Sequence, residues 1–170
     1  MKTSVVNLIN QQINKELYSA YLYLEFSNYL MQRGLTGFAH WYRIQTMEER
    51  DHAILFYDYL HHNNKAVVLE AIEKPEAKLE NVTDVLKAGL KHEEYITASI
   101  NDIYAEALKE KDFRTTQFLD WFVKEQGEEE ANAQALIDKV QLLGDNKQAM
   151  YILNTELQAR VYAPPSLVVG

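Results

Sequence analysis

The chain has no cysteine, only three prolines and only six glycines in 170 residues. Without cysteine there is no disulfide framework, no thiolate metal site and no cysteine nucleophile, and a reducing cytoplasm is the expected setting. So few backbone breakers favour long helices over turn-rich β structure. Long apolar runs are missing too: no stretch approaches the ~20 residues that a membrane span requires. Behind Lys2, the residues Asn7, Asn10, Gln11 and Gln12 interrupt any leader-like apolar segment. Positive charge is scarce, with 17 Lys and Arg against 25 Asp and Glu for a net charge of -8. That balance excludes nucleic acid as a general partner, because phosphate binding needs a cationic face. What is present, 47% hydrophobic and 25% charged residues, suffices for a single folded domain with a sizeable core. The acidic excess suits a protein that attracts cations, although acidic surfaces also serve solubility alone.

Helical periodicity organises most of the chain. A first helix is predicted from about Ser4 to Arg33, with a seam through Val6, Ile9, Ile13, Glu16, Ala20, Tyr23, Ser27 and Leu30. Gly34 reads as its C-terminal stop and Thr36 as the N-cap of a second helix. That helix runs to about Asn63, with Phe38, Tyr42, Gln45, Glu49, His52, Phe56 and Tyr59 on one stripe. The short connection makes the pair antiparallel neighbours. From Asn64 to Asn81 there is no clean period and Pro75 intervenes, as expected of a crossover that carries the chain along the length of a bundle. A third helix begins near Thr83, with Leu86, Leu90, Glu93, Thr97 and Ile100 on its stripe. A fourth follows a break at Lys111–Asp112, with Phe118, Phe122, Glu125, Glu129, Leu136 and Val140. After Gly144 a short fifth helix is expected from Lys147 to about Arg160, and a loose tail beyond Pro164-Pro165. The predicted fold is therefore all-α: an antiparallel four-helix bundle with a long crossover between the second and third helices and a short C-terminal fifth helix. One domain spans residues 1–160 and a tail spans 161–170.

Polar residues on the predicted core stripes carry the chemical information. Glu16 lies on the first seam, Glu49 and His52 on the second at i and i+3, and Glu93 on the third. Glu125 and Glu129 replace apolar residues on the fourth, with Gln126 and Glu128 beside them. Each alone has an ordinary explanation: a seam-edge carboxylate, a surface pair, a solvated acidic run. Together they place one ligand set at similar depth on four helices. Carboxylates converging in a dry core repel, and the seams carry almost no positive charge from the chain, since Arg43 and Arg50 fall off the stripe. A divalent metal pair is the economical counter-charge, and an oxygen-rich, nitrogen-poor donor set suits iron or manganese. Carboxylate-bridged di-iron bundles use such a set. One metal would take Glu16, Glu49 and His52. The other would take Glu49 as bridge, Glu93 and Glu129, with Gln126 close by.

Four segments resemble the prokaryotic non-haem ferritins in order and spacing: Asn14-Lys-Glu-Leu-Tyr-Ser-Ala-Tyr-Leu-Tyr23, Glu48-Glu-Arg-Asp-His52, Lys91-His-Glu-Glu94 and Trp121-Phe-Val-Lys-Glu-Gln-Gly-Glu-Glu-Glu130. The resemblance implies a ferroxidase that oxidises Fe(II) with O2 or H2O2 and stores ferric mineral inside a hollow homo-oligomeric shell of twenty-four subunits. By that resemblance Glu16, Glu49, His52, Glu93, Gln126 and Glu129 form the two-iron centre. Glu48, Glu125 and Glu128, together with Glu129, would form a third iron site, and Tyr23 would be an electron donor beside the centre. The fifth helix resembles the one that lines four-fold channels. Bacterioferritins carry a second Glu-x-x-His and a haem-ligating Met; here residues 127–130 hold no His and Arg50 stands in the Met position, so no haem is expected.

Overall fold

The computed structural model describes residues 1–76 and 78–169. Five helices form: α1 (Thr3–Met31), α2 (Thr36–His62), α3 (Val82–Lys109), α4 (Phe113–Leu143) and α5 (Lys147–Leu157), with no strand among the described residues. None of these helices is long and apolar enough to cross a membrane.

The helix ends follow from local chemistry. At the end of α1, Gly34 takes φ +74° and donates to the Met31 carbonyl, while the Leu35 N–H reaches back to the Leu30 carbonyl, both at 3.1 Å. This pair of bonds satisfies carbonyls that a bare helix end would leave open. The same closure recurs after α2, where Asn64 (φ 52°) is the left-handed residue, and after α3, where it is Lys111 (φ 57°). A reciprocal Asn81–Asp84 capping box starts α3, and Asp112 caps α4. Thr36 departs from expectation. It is the first helical residue of α2 and makes no cap. The cap comes from α5 instead: Asn154 Oδ1 accepts from the Gly37 and Phe38 N–H groups at 2.9 and 3.3 Å. Gly37 makes this approach possible, because a Cβ there would lie 1.6 Å from the Asn154 carbonyl oxygen.

Helix directions can be read from cross-bundle bonds. Pairing runs backwards between α1 and α3, with Gln12 against Ser99 and Tyr23 against Glu93. It also runs backwards between α2 and α4, with Gln45 against Glu129 and Tyr59 against Thr115. With α1 and α2 packed as a hairpin, α2 and α3 are therefore parallel. The crossover makes that possible by running along α1. Asn10 bonds the backbone of Ala66 and Val68, and Asn14 the carbonyls of Glu70 and Ala71.

Two apolar clusters fill the bundle. One joins Tyr23, Phe26, Leu30, Phe38, Tyr42 and Leu86 to α5; the other gathers Ile9, Phe56, Leu60, Ile100, Phe118 and Phe122 at the opposite end. In the second, Tyr59 stacks on Phe118 at 3.8 Å and Phe56 on Phe122 at 4.2 Å. Between the clusters lies a belt of buried polar side chains from α1 to α4.

The tail is not loose. Arg160 bonds Glu48, Tyr162 donates to Asp51, Ser166 accepts from the Trp121 indole N–H at 3.0 Å, and Leu167 and Val169 pack on the second cluster. Polar anchors at residues 160, 162 and 166 and apolar ones at 167 and 169 hold these residues, so the chain lies as a strap across α2 and α4.

Candidate metal centre

All six residues expected at the centre reach the polar belt. Relative exposure is 0% for Glu16, 1% for Glu49, 3% for His52 and Glu93, 2% for Gln126 and 6% for Glu129, so the carboxylates are effectively dry. Helical spacing does the positioning. Glu49 and His52 at i and i+3 present both side chains to the same face of α2. One ligand atom from each of Glu16, Glu49 and His52 lies within 4.8 Å of the others. His52 Nδ1 and Glu49 Oε2 are 3.5 Å apart without hydrogen-bond alignment. The His52 ring is held edge-on against Trp121 and Phe122, at 5.6 and 5.8 Å.

The outer oxygens are held and the inner ones are not. Gln12 donates to Glu16 Oε1 at 2.8 Å, Tyr23 and Gln126 donate to the two oxygens of Glu93, and Gln45 donates to Glu129 Oε2 at 2.9 Å. Glu16 Oε2, both oxygens of Glu49 and Nδ1 of His52 are buried with no hydrogen-bond partner among the described residues. Buried acceptors normally have partners, so four orphaned donor-set atoms in one place fit a cation-binding function.

Electrostatics agree. Burial pushes the carboxyls of Glu16, Glu49, Glu93 and Glu129 up, Glu129 to about 8. At Glu49 the charges of Glu93, Glu16 and Glu129 add to the effect, whereas bonds from Tyr23 and Gln126 counter it at Glu93. Burial and the neighbouring Glu93 also hold the Tyr23 phenol well above its ordinary value. Among the described residues no lysine or arginine forms an ion pair with these four carboxylates; the charge of Lys15 opposes the rise at Glu16, but its Nζ bonds Ser99 Oγ at 2.5 Å, and Ser99 passes the contact to Gln12. Divalent cations would supply the charge that the cluster lacks.

The fourth helix differs from the predicted stripe. Glu125 is half-buried at the rim, and Gln126 takes the core position beside Glu93. Gln126 turns its amide nitrogen toward Glu93, and so orients that carboxylate. Of the expected accessory residues, Glu48 and Glu125 share a cavity of about 240 Å³ with His52, while Glu128 is exposed and pairs with Lys124 at 3.2 Å. His40 and His92 lie outside the centre: His40 bonds the Arg160 carbonyl, and burial lowers His92 to about 4 beside Ser19.

Three contributors escaped the sequence reading. Gln12 lies one turn before Glu16, a buried amide whose spacing was an available signal. Ser99 and Arg160 act through tertiary contacts that no local pattern encodes.

A profile of the ferritin-like domain matches residues 6–143. A bacterial non-heme ferritin of Campylobacter jejuni is 37% identical over 152 residues, covering 89% of this chain and 91% of that protein. One from Escherichia coli is 32% identical over 157 residues, covering 92% and 95%. Among solved structures, a novel open pore ferritin from the hyperthermophilic archaeon Archaeoglobus fulgidus superposes with a TM-score of 0.93 at 38% identity, over 95% of this chain and 98% of the other. With a bundle of this topology, a dry carboxylate belt and relatives that align along almost the whole length, the chain belongs to the ferritin family.

Proposed function

We propose that the protein is an iron-storage ferritin whose polar belt is a ferroxidase centre. The observation that carries this reading is the orphaned set at Glu16, Glu49 and His52, backed by Glu93 and Glu129, with no lysine or arginine ion pair to them among the described residues. Two Fe(II) ions are the substrates. Glu16, Glu49 and His52 take the first; Glu49, Glu93 and Glu129 take the second, with Glu49 common to both. Gln126 and Tyr23 orient Glu93, Gln12 orients Glu16 and Gln45 orients Glu129. One electron leaves each iron, and the pair reduces O2 to peroxide or peroxide to two waters. Tyr23 stands next to Glu93, where its ring can supply a further electron. The protein needs no acid or base of its own; its carboxylates position the ions and balance their charge. The second ion has only oxygen donors and is held less firmly, which lets the ferric product leave toward Glu48, Glu125 and Glu128. Names such as bacterial non-heme ferritin among relatives support a cage, and the assembly proposed is a shell of twenty-four identical subunits that retains the ferric mineral.

The test combines size and stoichiometry. The protein should elute as a very large hollow particle, bind two Fe(II) per subunit without oxygen, and oxidise them rapidly once air is admitted. Glu49→Ala should lose both ions and the fast oxidation. A variant that oxidises iron as fast as the parent would overturn the assignment.

A further inference from the structure

Outside the centre, the strongest unexplained constellation is the strap at the end of the chain. Arg160 donates to Glu48 Oε2 at 2.7 Å and to the Trp41 carbonyl at 3.4 Å, and its guanidinium lies 4.0 Å over the Trp41 ring. Both partners of the ion pair are only 18% exposed. Six residues later Ser166 accepts from Trp121. Between these two anchors, residues 163–166 roof the cavity of about 240 Å³ whose floor is Glu48, His52, Trp121 and Glu125. The cavity floor therefore combines a proposed ligand of the metal centre with two carboxylates, one of them already bound by a guanidinium.

Resting on the reading that the belt binds iron, we propose that Arg160 holds the place of a metal ion on Glu48, so that an ion moves into the cavity by displacing it. Glu48 and Glu125 both line the cavity, and the guanidinium already occupies the Glu48 oxygen that an ion there would need. An arriving divalent ion brings more charge than a guanidinium and can engage Glu48 and Glu125 together. Arg160 then swings toward solvent, while Tyr162–Asp51 and Ser166–Trp121 keep the strap attached. The bound ion sits beside His52, on the route between the centre and the surface. Arg160 is thus a positioning residue that sets the affinity of this staging position, and neither arginine nor strap touches the oxidation itself.

The chain has two tryptophans, and the strap touches both. The test is calorimetric titration of Zn(II), which undergoes no redox change, into the assembled metal-free full-length protein. The parent should bind two ions per subunit tightly and a further ion more weakly. Arg160→Gln should tighten the weak step by about tenfold, the factor expected from removing one competing charge-assisted pair, and leave the first two steps unchanged. Arg160→Lys should fall between them, and Glu48→Gln should abolish the weak step. In a Trp121→Phe background, where Tyr162–Asp51 and the packing of Leu167 and Val169 still hold the strap, emission from Trp41 should stay level through two equivalents and change with the third; adding Arg160→Gln should remove that change. Equal weak-step affinity in parent and Arg160→Gln, or a Trp41 response that persists without Arg160, overturns the inference. Failure of the parent to bind the first two ions overturns the proposed centre instead, whatever residue 160 is.

Discussion

Replacing Glu129 by Gln should stabilise the metal-free protein at pH 8. Burial, then the charges of Glu93 and Glu48, push this carboxyl from 4.5 to about 8. Between those values the folded chain holds a proton that the unfolded chain has released, so stability falls as pH rises through the interval and the full penalty is present above about 8. The interval is worth at most about 5 kcal/mol per subunit at ~1.36 kcal/mol per pH unit. Protons shared with Glu93 and Glu49, and the high effective dielectric of real sites, reduce that to about 2 kcal/mol. The amide keeps the size of the side chain, and its carbonyl can still accept from Gln45 Nε2, now at 2.9 Å from the carboxylate. In a domain of this length ~1 kcal/mol moves the melting point by roughly 2–4 °C. After chelator treatment, Glu129→Gln should therefore melt about 4–8 °C above the parent at pH 8, and only about 1–2 °C above it at pH 5. Circular dichroism melts at matched subunit concentration provide the comparison. Adding Zn(II) at pH 8 should reverse the order, because the parent retains a charged ligand and the variant does not. Equal melting points of the two metal-free proteins at pH 8 would refute the reasoning.

Other substitutions probe the supports. Tyr23→Phe removes one donor from Glu93, leaving that oxygen unpaired; it should lower stability by about 1–2 kcal/mol in a melt and slow Fe(II) oxidation in stopped flow, with Zn(II) stoichiometry unchanged. Asn154→Ala deletes the acceptor for Gly37 and Phe38 and should reduce stability by about 1–2 kcal/mol, read as a lower melting point. Gly37→Ala forces a methyl against the Asn154 carbonyl, so α5 should detach and become the first site cut in limited proteolysis, while α1–α4 stay protected.

The bundle was legible because its signals are local. The stripe Phe38, Tyr42, Gln45, Glu49, His52, Phe56, Tyr59 repeats at three and four residues, and every member is buried in α2. Glu16 and Glu93 stood out for the same reason, as charges where the period demands apolar residues. Phase was harder on α4. Phe122 is followed at three and four residues by Glu125 and Gln126, both compatible with the stripe, and only packing against Glu93 selects Gln126. The α2 cap was misplaced because Thr36 is a good local candidate, whereas the acceptor that wins comes from residue 154. The tail was misjudged for a related reason. Pro164-Pro165 signals a helix stop, and no sequence-local pattern announces that Arg160 meets Glu48, or Ser166 meets Trp121.

The cap donated by Asn154 also sets a schedule. The hairpin that carries Glu16, Glu49 and His52 is complete in sequence by residue 62, yet the first turn of α2 lacks its acceptor until residue 154 arrives. During synthesis the nascent hairpin must therefore wait, frayed at that turn, while the crossover, α3 and α4 are added. Final tightening of α2 coincides with docking of the last helix. A chain cut short before α5 would keep all six residues of the proposed centre and lose the lock that seats them, so the last helix becomes a precondition for a settled centre.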